Sequence, residues 1–459
     1  MEEKTVKELK KIVGADGVLS TPEDLAVYGY DGTFEDSRPE IVVLPGTTEE
    51  VSEILKLASR ERIPVVTRGM GSGMTGASVP YRGGIVLTMT KMNKIIELDE
   101  ENGTVLVESG IITAELQAEV EKKGFYYPPD PSSNRHSTIG GNIACNAGGP
   151  RCLKYGVTGD YVLALTVVLS DGRILKTGGK TIKDVVGYDL KSLFTGSEGT
   201  LGVITEARLR LIAKPSVIRT VRAEFLSLAD ASRTVNAILT AGIVPVTLEI
   251  MDDTTIACIE EAMNLGLPLD VEAILIIEAD GSDEESVARE IGKIEVICRQ
   301  NGARGVKAAK DEKERNDLWN ARRPVGAALA RKSPNKLGED IVVPRSAVPE
   351  AVRRLKDISA RHGLPIAIFG HAGDGNLHPN VLFDLRNSEE RATMEKMIAE
   401  IFETALDLGG TLSGEHGVGT LKLPFMERAV DAVSLDVQKQ IRHVFDPLRI
   451  MNPGKALPE

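Results

Sequence analysis

The sequence predicts an α+β protein built from more than one domain, and three observations predict it. The chain has 459 residues, more than one ordinary hydrophobic core holds. Short β-branched runs alternate with amphipathic segments along its length. The texture of that alternation changes after Pro215. Before it, strands are separated by long glycine-rich loops; after it, strands alternate with long helices.

The opening stretch, MEEKTVKELKKIVG, is charged and amphipathic, and heads an N-terminal helical segment over 1–34. The runs IVVL (41–44), PVVT (64–67), GIVLT (84–88), TVLVE (104–108) and YVLALTVVL (161–169) read as strands. TTEEVSEILKLASRER (47–62) reads as a helix: Val51, Ile54, Leu55 and Ala58 share a face, and Thr47 with Glu50 fits a capping box. Residues 35–215 therefore form one α+β unit. In 216–415, VIRTVRAEF, VTLEIMD, AILIIEADG, EDIVVP and PIAIFGHA read as strands. SLADASRTVNAILTAG, DEESVAREIGKIEVICRQNG, DLWNARR and AVPEAVRRLKDISARHG read as helical. That pattern fits an antiparallel sheet backed by helices. The last segment, 416–459, carries a helix that stops at Pro447 and ends in NPGK.

Composition narrows the function classes. A hydrophobic content of 42% and a charged content of 27% are those of a globular protein. The net charge of −12 and the lack of a basic cluster exclude a nucleic-acid footprint. No apolar run reaches the ~18 residues of a membrane helix, and the N-terminus lacks a signal peptide's apolar core. The expected location is the cytoplasm, with peripheral docking on a membrane through a partner left open. Cys145, Cys152, Cys258 and Cys298 form no C-x-x-C pair, so they are expected as free thiols and not as cluster ligands.

The 45 glycines cluster in three loops: TRGMGSGMTGA (67–77), STIGGNIACNAGG (137–149) and TGSEGTLGVIT (195–205). GSGMTG matches G-x-G-x-x-G, but a dinucleotide fingerprint must end a strand and open a helix. Here the loop leads through a proline and two glycines to another strand, which excludes that site. Consecutive small residues still let backbone N–H groups converge on an anion. Glycine costs ~0.5–1 kcal/mol in ordered backbone. Three such loops therefore favour one extended, multiphosphate cofactor over surface turns.

VVTRGMGSGMTGA, PPDPSS, TIGGNIACNAGG and SEGTLGVIT, in that order, resemble the FAD domain of the vanillyl-alcohol-oxidase-type flavoproteins. GHAGDGNLHPN (370–380), SGEHGVG (413–419) and NPGK are similar to the D-2-hydroxyacid dehydrogenase branch, which holds D-lactate dehydrogenases and the glycolate oxidase flavin subunit. The resemblance implies a two-part FAD-binding domain plus an antiparallel-sheet substrate, or cap, domain. It implies FAD bound non-covalently, since the first glycine loop has no histidine; a thioether to Cys145 or Cys152 is disfavoured. Arg68, Gly69, Gly71, Ser72, Gly73 and Met74 would hold the pyrophosphate. Asp130, Thr138, Gly141, Asn142, Asn146, Gly148, Glu198, Gly199, Gly202 and Ile204 would contact the flavin, with Asn452 returning to its edge.

Only six histidines are present, and two of them, His371 and His378, flank the turn formers AGDGNL. If this is a hairpin, they sit across from each other, close enough to share one ion. Asn380 then points to the face of His378. Glu415 and His416 lie among glycines that free the backbone from regular geometry. By the resemblance His371, His378 and Glu415 are ligands of a divalent metal. Zinc, iron and manganese all suit such N/O ligands. Arg322, after Trp319, matches the family's substrate-carboxylate arginine; Lys336 is a weaker candidate. Asp374 is a candidate ligand read more simply as a turn residue; His362 and His443 are structural, and His136, near the flavin motifs, is read as structural with a functional role left open.

These readings give a mechanism. A D-2-hydroxy acid, lactate or glycolate first, is oxidised to the 2-oxo acid by hydride transfer to flavin N5. The metal acidifies the hydroxyl, His416 is the base, and Arg322 and Asn380 hold the carboxylate. With no cluster motif of its own, the chain is expected to pass electrons to an iron–sulfur subunit, an electron-transfer flavoprotein or quinone. A homodimer stays open. The rivals are a metal-dependent hydrolase, a non-catalytic flavin subunit of an electron-transfer complex, and a reductase of the same flavin fold.

Overall fold

The computed structural model describes all 459 residues, which divide into two compact units. The first comprises Met1–Gly148, Val157–Lys214 and Glu415–Glu459; the second comprises Gly149–Gly156 and Pro215–Gly414.

In the first unit, Ile41–Val43, Ile85–Thr88 and Val65–Arg68 pair in parallel, and Val18–Leu19 adds an antiparallel edge. A second, antiparallel sheet runs Ile95–Asp99, Thr104–Glu108, Val203–Arg210, Val162–Val168, Ile174–Gly178. The helix Thr48–Glu61 buries Val51, Ile54, Leu55 and Ala58 in a core shared by both sheets, which includes Val168 and Val203. Leu9, from the helix Glu3–Val13, is in that same core. The N-terminal segment thus belongs to this unit. Thr47 caps its helix by accepting the Glu50 N–H. The capping box is not closed as expected: the Glu50 carboxylate takes the N–H of Gly46, one residue further out. The C-terminal segment, after the helix Ala432–Phe445, pairs Met451 with Val65, and Ile450 and Met451 lie in the same core.

The second unit is one antiparallel sheet. Its order is Ala303–Ala308, Val217–Phe225, Ala273–Gly281, Thr247–Asp252, Ile366–His371, Asn376–Phe383, Asn335–Gly338. Ile341–Val342 pairs beside the last hairpin strand. The helices Leu228–Thr240, Glu284–Gln300, Val348–His362 and Ser388–Asp407 bury amphipathic faces. Gly149–Gly156 joins this unit because Asp280 holds it: its carboxylate accepts from Lys154 Nζ at 2.5 Å and from Tyr155 OH at 2.8 Å.

Candidate active site

The glycine loops of the first unit converge on one another through backbone contacts. Gly69 packs on Thr138, where a Cβ would lie 2.2 Å from the hydroxyl, so only glycine fits. The second loop is not all loop. Thr138 accepts the Gly141 N–H and caps a helix, Ile139–Cys145, that the glycines of TIGGNIAC concealed from a propensity reading. Asn142 donates to Thr113, and Asn146, in a left-handed conformation, accepts the Gly159 N–H at 2.8 Å.

Glu198, in the third loop, gathers two distant segments. Its two carboxylate oxygens accept the N–H groups of Val418 and Gly419, each at 2.7 Å. Its carbonyl accepts from Asn452 Nδ2 at 2.7 Å, and that amide also donates to the carbonyl of Ala77. Gly419 has φ +53° and stands where a Cβ would meet the Thr75 carbonyl at 2.0 Å. Burial raises the Glu198 pKa against those backbone bonds and the charges of Lys422 and Lys455. Lys455, fully buried, donates to the Val79 carbonyl and to Asn452 Oδ1, and burial pushes its pKa down to about 7.

The remaining flavin candidates fall on these loops or beside them. Gly71, Ser72, Gly73 and Met74 stay half-buried. Arg68 spends its guanidinium on the carbonyls of Tyr28, Tyr30 and Met70, so it braces the loop from behind. Asp130 accepts from Asn134, Gly148 closes the second loop, Gly199 takes φ +72° after Glu198, and Gly202 and Ile204 lead into the strand Val203–Arg210. Thr67 Oγ1 and Ser78 Oγ, at either end of the first loop, and Ser109 Oγ are buried polar atoms that no protein group satisfies. A polar ligand such as FAD fits that requirement. Burial pushes the Cys145 thiol up to about 12, away from thiolate chemistry.

In the second unit the hairpin forms as expected, but its register differs. His371 pairs with Asn376, and His378 pairs with Phe369, so the two histidines are diagonal and not opposed. Diagonal neighbours on one face remain within reach of ring side chains. Their ring centroids lie 5.2 Å apart, edge to face. The helix Glu312–Trp319 ends before Arg322, which lies in the turn that follows.

The sheet supplies two acids that the sequence reading missed. Glu249 pairs in register with His371 on the next strand and is 1% exposed. Its Oε1 lies 2.5 Å from His371 Nδ1, and its Oε2 accepts from Arg322 Nε at 2.7 Å. Burial alone would raise its pKa, but His371 and Arg322 outweigh it and hold Glu249 below the ordinary value. The Arg322 guanidinium also sits over the Phe369 ring, 4.6 Å from its centroid. Asp340, fully buried, accepts from Asn376 Nδ2, Ser413 Oγ and the Gly414 N–H at 2.7–2.9 Å, and lies 3.9 Å from His378 Nδ1. Asn380 donates to the His378 carbonyl at 2.9 Å, which leaves one amide N–H for another acceptor. Lys336, on Asn335–Gly338, has its pKa lowered by burial.

Glu415 and His416 follow Gly414 directly, as the first residues of the returning segment of the first unit. Gly414 is fixed on Asp340, so Glu415 begins one Cα–Cα step from that anchor. A Glu415 oxygen lies 3.8 Å from His416 Nε2. Asp340 and His378 offer ligand atoms within 4.8 Å of each other, and His371 is not in that set. Imidazoles and carboxylates form an N/O donor set that suits a divalent ion. The other histidines lie elsewhere: His362 bonds Glu400, and His136 and His443 are exposed.

Glu249 had a signal in the sequence: a charge within VTLEIMD, where a buried carboxylate must have partners. Asp340, before a short strand, and Lys455, inside NPGK, had none that spacing reveals.

Two family models match this chain. FAD binding domain covers residues 39–178, and FAD linked oxidases, C-terminal domain, covers 214–456. Glycolate oxidase subunit GlcD of Bacillus subtilis (strain 168) is 47% identical over 454 residues, 98% of this chain and 96% of its own length. Glycolate oxidase subunit GlcD of Escherichia coli (strain K12) is 38% identical, covering 96% of this chain and 88% of its own. D-lactate dehydrogenase of Anaerostipes hadrus is 35% identical, covering 95% and 92%. Among solved structures, p-cresol methylhydroxylase with substrate bound aligns with a TM-score of 0.84 over 99% of this chain and 96% of its own, at 19% identity. That likeness speaks for the fold, which is of the predicted flavoprotein type.

Proposed function

The chain belongs to the FAD-linked oxidases, and from that premise we propose that it oxidises a D-2-hydroxy acid, lactate or glycolate first, to the 2-oxo acid. The observation that carries this reading is the arrangement around Glu249. One buried carboxylate touches both an imidazole suited to a metal and a guanidinium suited to a carboxylate, in a chain whose other unit is a flavin-binding domain. The names of its relatives, glycolate oxidase subunits and a D-lactate dehydrogenase, support the substrate class. Family membership sets the hydrolase alternative aside.

FAD supplies the acceptor for the hydride and its two electrons. His371, His378 and Glu415 would hold a divalent metal, whose charge would lower the hydroxyl pKa. His416 takes the hydroxyl proton on an imidazole nitrogen; histidine titrates near neutrality, which suits it to this work. The terminal nitrogens of Arg322 and the remaining Asn380 N–H grip the substrate carboxylate. The backbone of Gly69 to Met74 would hold the pyrophosphate, and Glu198 with Asn452 ties the returning segment to the glycine loops. The acceptor of those electrons would be a protein partner, an iron–sulfur subunit or an electron-transfer flavoprotein, or quinone. The word subunit in the names of two relatives supports a protein partner.

The test is an anaerobic screen of the purified flavoprotein with D- and L-lactate, glycolate and D-2-hydroxyglutarate. Bleaching of the flavin band by a D-acid or glycolate, and not by L-lactate, is expected. No bleaching by any of them would overturn the reading.

A further inference from the structure

We infer that Glu249 is a positioning residue that locks the metal-facing histidine and the carboxylate-binding arginine into one rigid unit. The inference rests on the function proposed above and adds a residue to it. Three observations carry it.

First, a carboxylate buried to 1% exposure is costly unless it is paired and hydrogen-bonded, and Glu249 meets that condition through these two partners. Second, Glu249 Oε1 lies 2.5 Å from His371 Nδ1, so the carboxylate fixes the orientation of the imidazole ring. Third, Glu249 takes the Nε–H of Arg322 while the Phe369 ring lies under the guanidinium plane. The terminal nitrogens are then left to form a fork for a second carboxylate.

A 2-hydroxy acid carries its hydroxyl on the carbon next to its carboxylate. The group that addresses the hydroxyl and the group that addresses the carboxylate must keep a fixed spacing. One side chain that holds both provides it. The backbone makes Glu249 rigid in turn, since it lies in register with His371 on paired antiparallel strands.

The experiment uses the FAD-loaded full chain, stripped of metal with a chelator and titrated with Zn(II) against a chromophoric competitor. Glu249→Gln keeps the size but puts an N–H₂ against one of the two donors. We expect its Zn(II) affinity to fall about 10–100-fold. KM for the hydroxy acid should rise, with FAD content unchanged. Glu249→Asp keeps the charge on a shorter arm and should lie between wild type and Gln; it serves if the Gln variant fails to fold. Wild-type Zn(II) affinity and KM in either folded variant would overturn the inference. His371→Ala separates the two claims. If it binds Zn(II) like wild type, the ligand assignment itself fails; if it loses Zn(II) while Glu249→Gln keeps it, only the positioning role fails.

Discussion

The two units build their functional parts from different materials. In the first, the candidate cofactor loops are joined through backbone: glycines brought to close approach, with Glu198 and Asn452 stitching main-chain groups together. In the second, the candidate substrate groups are side chains anchored on a sheet, with His371, Glu249 and Arg322 in one hydrogen-bonded row. The difference suits the ligands. A long cofactor needs many close approaches and little charge discrimination, whereas a small acid needs a few groups at fixed spacing.

The sharpest way to break this comparison is to remove one reacting group and leave both frameworks intact. His416→Ala should slow flavin reduction by the hydroxy acid about 10²–10⁴-fold, with FAD still bound, in anaerobic stopped flow. Near-normal reduction would remove His416 as the base. The next effect separates the two materials. Gly69→Val places a branched side chain where the Thr138 hydroxyl already lies, and should cost the protein most of its FAD. Zn(II) binding should stay within a few-fold of wild type. Loss of both together would show that the halves are not independent in construction.

How legible each half was follows from the same contrast. Glycine is the one residue type that close backbone approach demands, so three glycine loops pointed to an extended multiphosphate cofactor, and the family resemblance made it FAD. Even there, the helix Ile139–Cys145 was hidden, because glycine propensity argues against it and the Thr138 cap argues for it. The hairpin was legible from its turn formers, but its register was not. Four residues, Ala372 to Gly375, separate the strands and set His371 against Asn376. Glu249 could be suspected as a charge in an apolar strand, yet its partner lies 122 residues away, and only strand order brings them together. Asp340 meets Ser413 and Gly414 in the same non-local way.

Smaller effects sharpen the picture of the first unit. Burial holds the Lys455 pKa near 7, below its unfolded value. Between pH 7 and about 10 the unfolded chain binds that proton and the folded chain does not, so stability should rise with pH across this window. Lys455→Met should flatten the rise in urea midpoints measured at pH 7, 8 and 9. An unchanged slope would mean the amine titrates normally. Smallest is Thr47→Ala, which removes the cap on Thr48–Glu61. It should cost about 1 kcal/mol in stability and leave flavin reduction untouched.

The central claim is that the side-chain site and the flavin cradle serve one reaction. The most direct test compares two reductants on one anaerobic sample before and after chelator treatment. Chelation should abolish flavin bleaching by the hydroxy acid, Zn(II) or Mn(II) should restore it, and dithionite should bleach the flavin equally throughout. Full bleaching by the hydroxy acid in metal-stripped protein would contradict the claim.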